Sequence, residues 1–132
     1  MRITADTNVL VRAITGDDPR QSPIAKAELA DAELVALPLP ALCELAWVLA
    51  RGYHIASRDI SEAIRRLLDS ANVAMNRPAA EAGLALLDAD GDFADGVIAF
   101  EGGWLGAEAF VSFDKKAVKL LGAQNRSARL LT

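Results

Sequence analysis

The first eleven residues, MRITADTNVLV, constrain the fold of this chain more than any other stretch. Arg2 to Ala5 has the character of a short strand, and Thr7 to Ile14 places its apolar side chains at helical spacing. Asp6 therefore stands where a strand ends and a helix begins. Because ligands bind at the carboxyl ends of the strands in open parallel sheets, this acid marks the edge where a site is expected.

The remainder of the chain repeats the alternation of short strands and helices. We predict further strands at Leu34 to Leu37 and Ala109 to Phe113, with weaker candidates at 72–75 and 130–131. Helices are predicted over about 19–32, 41–51, 57–68, 78–89, 92–100 and 114–121. This alternation predicts a three-layer α/β/α domain with a short central parallel sheet flanked by helices.

Proline, serine and glycine set the expected element boundaries. Pro38 to Pro40 is expected to end the second strand. Ser57 or Ser61 is expected to be the N-cap of the helix predicted over 57–68. The Gly102-Gly103 pair is expected to end a later helix. The helix over 41–51 contains no turn signal and is almost uncharged, so we expect it to be buried.

Length and composition are those of one globular domain spanning residues 1–132. The chain is 52% hydrophobic and 24% charged, which excludes a disordered chain. The single Cys43 and single His54 exclude an internal disulfide and an ordinary zinc site, so a reducing cytoplasm is the expected location. No signal peptide is evident and no apolar run reaches about 20 residues, so we expect no membrane span. The net charge of −4 argues against broad attraction to nucleic acid and allows a local basic face.

Glu44 is the only charged residue between Val35 and Ala50. An ionised carboxylate in such apolar surroundings costs several kcal/mol unless it is paired, and no lysine or arginine lies three or four positions away. Glu44 is therefore a candidate ligand for a cation. The alternative is an acid at the one solvent-exposed edge of the helix.

Three further acids stand near predicted helix starts. Asp114 follows the strand that contains FVSF, and Asp92 and Asp95 are three positions apart, so that on a helix they share a face. Asp92 could cap that helix while Asp95 points inward. Asp6 and Asp114 could likewise be N-caps only, since an aspartate there accepts a hydrogen bond from a free backbone N–H.

Taken together, these carboxylates predict a divalent metal site. Converging carboxylates repel one another and raise each other's pKa, whereas Mg²⁺ or Mn²⁺ prefers all-oxygen ligands and removes the repulsion. Two such ions about 3.5 to 4 Å apart activate a water and stabilise the leaving oxygen of a phosphodiester. Hydrolysis of a nucleic-acid backbone fits this chemistry.

Other chemistries lack their motifs. The chain has no Walker-type phosphate loop, no GxSxG nucleophile elbow and no dinucleotide fingerprint. A haloacid-dehalogenase-type phosphatase is a rival, but its motif needs an aspartate two positions after the first, where this chain has Asn8. A receiver-like phosphate-binding module is a second rival, but it needs an adjacent acidic pair at the end of the first strand.

The motifs ADTNVLVR, LCELAWVL, DFADGVIA and FVSFDKKA, in this order, resemble those of PIN-domain ribonucleases, in particular VapC-type toxins of toxin-antitoxin modules. The resemblance covers essentially the whole chain from Ile3 onward. It implies an Mg²⁺- or Mn²⁺-dependent endoribonuclease that acts on RNA, forms a homodimer and is inhibited by a small VapB-like antitoxin. Trp47, Trp104, Leu105 and Phe110 supply apolar surface that a dimer could cover.

The resemblance also implies roles for individual residues. It makes four acids the catalytic and metal-binding set: Asp6, Glu44, Asp95 and Asp114. It makes four others accessory, with Thr7 and Asn8 orienting the first acid, Asp92 acting beside the third and Ser112 near the fourth. Apart from the resemblance, seven basic side chains could hold the RNA backbone, and the alternative for each is simply a solvated charge: Arg51, Arg58, Arg65, Arg66, Lys115, Lys116 and Lys119.

Overall fold

A computed structural model describes residues 1–132 as an alternation of helices and short strands in two compact units, Met1–Arg77 and Pro78–Thr132. The first unit contains β1 (Arg2–Thr4), α1 (Thr7–Thr15), α2 (Gln21–Asp31), β2 (Leu34–Ala36), α3 (Leu39–Trp47), α4 (Ser57–Leu68) and β3 (Val73–Ala74). A π-helical segment, Val48–Gly52, continues α3. The second unit contains α5, which begins at Arg77 (Arg77–Asp88), α6 (Phe93–Trp104), β4 (Phe110–Ser112), α7 (Lys115–Ala123) and β5 (Ala128–Leu130).

The strands of the first unit form a parallel sheet in the order β1-β2-β3. Val35 of the central strand pairs with Ile3 on one side and Val73 on the other, and its side chain is fully buried. Parallel strands need crossover connections, and here α1 with α2, and α3 with α4, supply them. The ladder runs on past β1, where the N–H of Ala5 donates to the carbonyl of Ala36 at 3.1 Å, and this brings the chain directly to Asp6.

Apolar faces of the helices build the core of this unit. Helix α1 contacts both α2 and α3, and Leu10 of α1 is fully buried. Helix α3 contributes Leu42 and Leu45, and the π segment contributes Leu49, all without exposed surface. Because Leu42, Leu45 and Leu49 are three and four positions apart, they form one apolar stripe, and the opposite face of the helix is not buried.

The second unit pairs β4 with β5 in parallel, and α7 contacts both strands. Helices α5 and α6 approach closely because glycines stand at the crossing: a Cβ on Gly83 would lie 2.7 Å from the ring of Phe93, and one on Gly96 would collide with the backbone of Ala82. Phe93 is buried as a result. Close backbone approach of this kind needs residues without a side chain.

The structure confirms a mixed α/β fold with short parallel strands, although several predicted boundaries were wrong. Helix α3 begins at Leu39 rather than at the predicted position 41, with Pro38 as its N-cap and Pro40 in its first turn. Proline is tolerated there because the N–H groups of the first turn have no acceptor within the helix. Ala56 is the N-cap of α4, so neither Ser57 nor Ser61 has that role. Ser61 lies within α4 and is buried. Helix α6 runs through Gly102-Gly103 to Trp104. None of the helices is long and apolar enough to cross a membrane.

Candidate metal centre

Asp6 lies at the junction of β1 and α1, as the sequence predicted. Its backbone is extended, with φ −76° and ψ 157°, and its side-chain Oδ1 accepts a 2.8 Å hydrogen bond from the N–H of Thr7. The Asp6 side chain is exposed, whereas Thr7 is buried beneath it. Asp6 is thus a helix cap whose carboxylate stays open to solvent, and Asn8 is exposed beside it.

Glu44 is exposed, so the expectation that it sits in a buried helix was wrong. Its helix buries Leu42, Leu45 and Ala46, and Glu44 lies outside that stripe together with Trp47, which is 57% exposed. The alternative of an acid at the solvent-exposed edge is the observed one. The carboxylate therefore needs no buried partner, and its candidacy rests on its position in the motif.

Asp92, Asp95 and Asp114 occupy helix starts in the second unit. Asp92 is the N-cap of α6, with its Oδ1 accepting from the N–H of Ala94 at 3.0 Å. Asp114 is the N-cap of α7, with its Oδ1 accepting from the N–H of Ala117 at 3.1 Å. Asp95 lies in the first turn of α6 and is half-buried. The division of roles predicted for the pair, with Asp92 as cap and Asp95 inward, is confirmed.

Ser112 holds the backbone that leads into α7. Its hydroxyl oxygen accepts a 3.0 Å hydrogen bond from the N–H of Asp114. The loop entering the helix is therefore tied at Asp114 through both its backbone and its carboxylate.

Asp95 is the acid of this group whose pKa is shifted by its surroundings. Burial raises the pKa of its carboxyl, and the negative charges of Asp92 and Asp114 raise that pKa further. Asp95 is thus close enough to Asp92 and to Asp114 to be repelled by both. A bound cation would reverse both effects, because it favours the ionised form of every carboxylate around it.

The donor chemistry fits a hard divalent cation, since carboxylate oxygens are the ligands that Mg²⁺ and Mn²⁺ prefer. Within neither unit do three aspartate, glutamate, histidine or cysteine side chains converge closely enough to hold an ion by themselves. The predicted four-acid set remains a prediction.

Sequence reasoning missed a polar cluster in the first unit. Asp17 accepts hydrogen bonds from Arg12, Thr15 and Tyr53, and the bond from the Tyr53 hydroxyl is 2.6 Å long. Asp17 and Tyr53 are 36 positions apart, so no local pattern joins them. The only local signal in the sequence is the composition of Gly16 to Pro19, GDDP, which is typical of a turn.

Apolar and basic surfaces follow the sequence-based expectation in part. Trp104 is 80% exposed and Leu105 84%, whereas Phe110 is half-buried. Phe113, which was not singled out, is 76% exposed. All the basic candidates are exposed: Arg51, Arg58, Arg65, Arg66, Lys115, Lys116 and Lys119.

Comparison with known families identifies the chain. The model of the PIN domain matches residues 3–120, which include all four predicted metal-binding acids. A search of curated proteins returned no match. The chain belongs to the PIN-domain family, whose members are nucleases that generally use divalent metal ions.

Proposed function

We propose that this protein is a metal-dependent endoribonuclease that acts as the toxin of a VapBC-like toxin-antitoxin pair. The observation that carries the proposal is the grouping of Asp92, Asp95 and Asp114 at two helix starts of one unit, inside the region matched by the PIN domain. Burial and then the charges of Asp92 and Asp114 raise the pKa of Asp95, and a bound cation would relieve that repulsion. Membership of a nuclease family supports the reaction.

We assign Asp6, Glu44, Asp95 and Asp114 as the residues that hold Mg²⁺ or Mn²⁺. When bound, such an ion activates a water and stabilises the charge that develops on the phosphate. The support is their order in the motifs, the family membership and the exposure of Asp6, Glu44 and Asp114 to an approaching ligand.

The chain's own contribution is to fix these carboxylates in advance. Asp6 and Asp114 each engage one oxygen with a backbone N–H of the helix they cap, which leaves the other oxygen free for a ligand. Burial and the negative charges of Asp92 and Asp114 raise the pKa of Asp95, and a cation bound beside it would lower that pKa again.

RNA binding needs positive charge that the net charge of −4 does not provide. We propose that exposed lysines and arginines contact the phosphates, and that they position the substrate without reading its sequence. Lys115 and Lys119 are placed for this, since they lie on α7 directly after Asp114. Lys116 is less available because its Nζ lies 3.7 Å from a carboxylate oxygen of Asp90.

Two partners complete the proposal. We propose a homodimer that covers exposed apolar side chains such as Trp104, Leu105 and Phe113. We also propose a VapB-like antitoxin as the inhibitor and the cytoplasm as the place of action. The support for both is the resemblance of the motifs to VapC-type toxins, and co-purification with the product of a neighbouring gene would test the antitoxin directly.

The activity is tested with Asp6→Asn and Asp95→Asn in the full chain, using Asp31→Asn, an exposed acid at the end of α2, as the matched control. We expect Mg²⁺-dependent RNA cleavage to fall about 100-fold in the first two variants, as for loss of groups at a metal site, and to stay unchanged in the control. Chelation should abolish cleavage by the wild type. Undiminished cleavage by Asp6→Asn and Asp95→Asn would overturn the assignment.

A further inference from the structure

A hydrogen-bonded cluster joins the end of α1 to the residue that follows the π segment. Nη1 of Arg12 donates to Asp17 Oδ1 at 3.1 Å, and the Tyr53 hydroxyl donates to Asp17 Oδ2 at 2.6 Å. Nη1 of Arg12 also lies 3.2 Å from the Tyr53 hydroxyl, so the three side chains close a triangle. The Thr15 hydroxyl donates to Asp17 Oδ1 at 2.8 Å. We refer to Arg12, Thr15, Asp17 and Tyr53 as the Asp17 cluster.

The Asp17 cluster is more than a surface ion pair. Its hydrogen bonds lower the pKa of the Asp17 carboxyl from 3.8 to about 2, and the largest contribution comes from the Tyr53 hydroxyl. By comparison, Arg2 and Glu33 make a single 3.6 Å contact between highly exposed side chains. Several directional bonds to one carboxylate hold their partners in one geometry, whereas a lone exposed pair does not.

The cluster connects the two elements that carry the proposed acids of the first unit. Helix α1 starts at Asp6, and Arg12 lies in its last turn. Helix α3 carries Glu44 and continues through the π segment to Tyr53. Any slide of α3 along α1 would move Tyr53 relative to Asp17 and break the 2.6 Å bond.

The apolar contact between α1 and α3 does not itself set that register. Leu10 on one side and Leu42 and Leu45 on the other are fully buried, but hydrophobic contact is non-directional and tolerates small shifts along a helix. The Asp17 cluster supplies the directional contact between the two elements.

Backbone geometry at both ends of the cluster is adapted to this contact. Gly16 adopts a left-handed conformation, φ 64°, which ends α1 and lets Asp17 turn back toward Arg12. On the other side the N–H of Tyr53 donates to the carbonyl of Val48, the i to i−5 bond of a π turn. Such π turns are rare in proteins as a whole. Those that occur are often found at functional sites, because they redirect side chains within a helix.

We infer that Arg12, Asp17 and Tyr53 are positioning residues that set the register of α1 against α3 and so the placement of Asp6 relative to Glu44. This inference rests on the proposed function, in which those two acids share a metal ion. The cluster touches neither acid and acts through the helices between them.

The experiment compares wild-type protein with Tyr53→Phe, Asp17→Asn and the double variant, and uses Glu33→Gln as the matched control for loss of an exposed ion pair. Tyr53→Phe removes only a hydroxyl and keeps the ring, so folding is retained. Binding of Mn²⁺ alone is measured by titration calorimetry, RNA cleavage gives kcat and KM, and hydrogen exchange reports on residues 48–52.

We expect each single variant to weaken Mn²⁺ binding about tenfold, as for loss of a residue that orients metal ligands, and to lower kcat more than it raises KM. The double variant should lose less than the sum of the two single variants, because both changes weaken the contact between Asp17 and Tyr53. Exchange within residues 48–52 should be faster in all three, and Glu33→Gln should match the wild type throughout.

Unchanged Mn²⁺ affinity and kcat in Tyr53→Phe and Asp17→Asn, with only faster exchange, would show a purely structural cluster and overturn the inference alone. A wild-type protein that binds no Mn²⁺ and cuts no RNA would overturn the proposed function, and the inference with it. The two failures are thus distinguishable.

Discussion

Gly96 of α6 packs directly against the backbone carbonyl of Ala82 in α5, with no room for a side chain between them. This contact lies one residue after Asp95, so the packing of the two helices also sets where that acid stands. A methyl group at position 96 would push α6 away from α5.

We therefore predict that Gly96→Ala destabilises the protein by about 1 to 3 kcal/mol, the usual range for overpacking a tight contact. Urea unfolding of the variant measures this. Gly103→Ala in the same helix is the control, since a Cβ there meets nothing within 4 Å. It should stabilise by about 0.5 to 1 kcal/mol, because alanine restricts the unfolded chain. Equal effects of the two variants would contradict the packing argument.

Asp92 allows the capping and electrostatic roles of an acid to be separated. Asp92→Ala should cost about 1 kcal/mol of stability because the N–H of Ala94 loses its acceptor, whereas Asp92→Asn keeps an acceptor oxygen. Both changes remove a negative charge that raises the pKa of Asp95, so that pKa should fall in both. It should stay above its ordinary value, since burial is the larger cause. Carboxyl titration followed by NMR decides this.

The lowered pKa of Asp17 predicts how the free energy of unfolding depends on pH. Its pKa is about 2 in the folded protein and 3.8 in the reference state, so the unfolded chain binds the proton first as the pH falls. The contribution of Asp17 is therefore complete above about pH 4 and is lost between 3.8 and 2. Asp17→Asn should be less stable than the wild type at pH 6, and the two unfolding free energies should converge by pH 2. A constant difference across that range would contradict the assignment.

Asp95→Asn should separate stability from activity. The pKa of Asp95 is raised in the folded state, so its ionised form opposes folding once the pH exceeds the unfolded value of 3.8. Without metal, the neutral asparagine should make the protein more stable than the wild type at pH 7. With Mg²⁺, RNA cleavage by the variant should fall about 100-fold. Adding Mn²⁺ should raise the melting temperature of the wild type but not of Asp95→Asn. Loss of both stability and activity would indicate a structural role only.

Sequence patterns correctly predicted the elements that depend on interactions between neighbouring residues. The strand, acid and helix around Asp6 follow from hydrophobic spacing and capping, and the same holds for Asp92 and Asp114. Family membership then favours the nuclease over the phosphatase and receiver alternatives that spacing alone left open.

Tertiary context decided the features that were missed. Glu44 lies in an almost uncharged stretch, yet the stripe of Leu42 and Leu45 turns it outward, because one helix face suffices to fill the core. Helix α6 continues through Gly102-Gly103, since hydrogen bonding within an established helix outweighs the weak preference of glycine against it. The bond between Asp17 and Tyr53 joins distant positions that no short-range rule connects.

The helix starts at Asp6, Asp92 and Asp114 have a consequence for regulation. Each carboxylate already engages its own helix, so the polypeptide can complete its architecture before any ion arrives, unlike small domains whose folding is driven by zinc. Under the proposed function, scarcity of divalent cations would then stop RNA cleavage without unfolding the protein. Resupply would restore its chemistry without new synthesis.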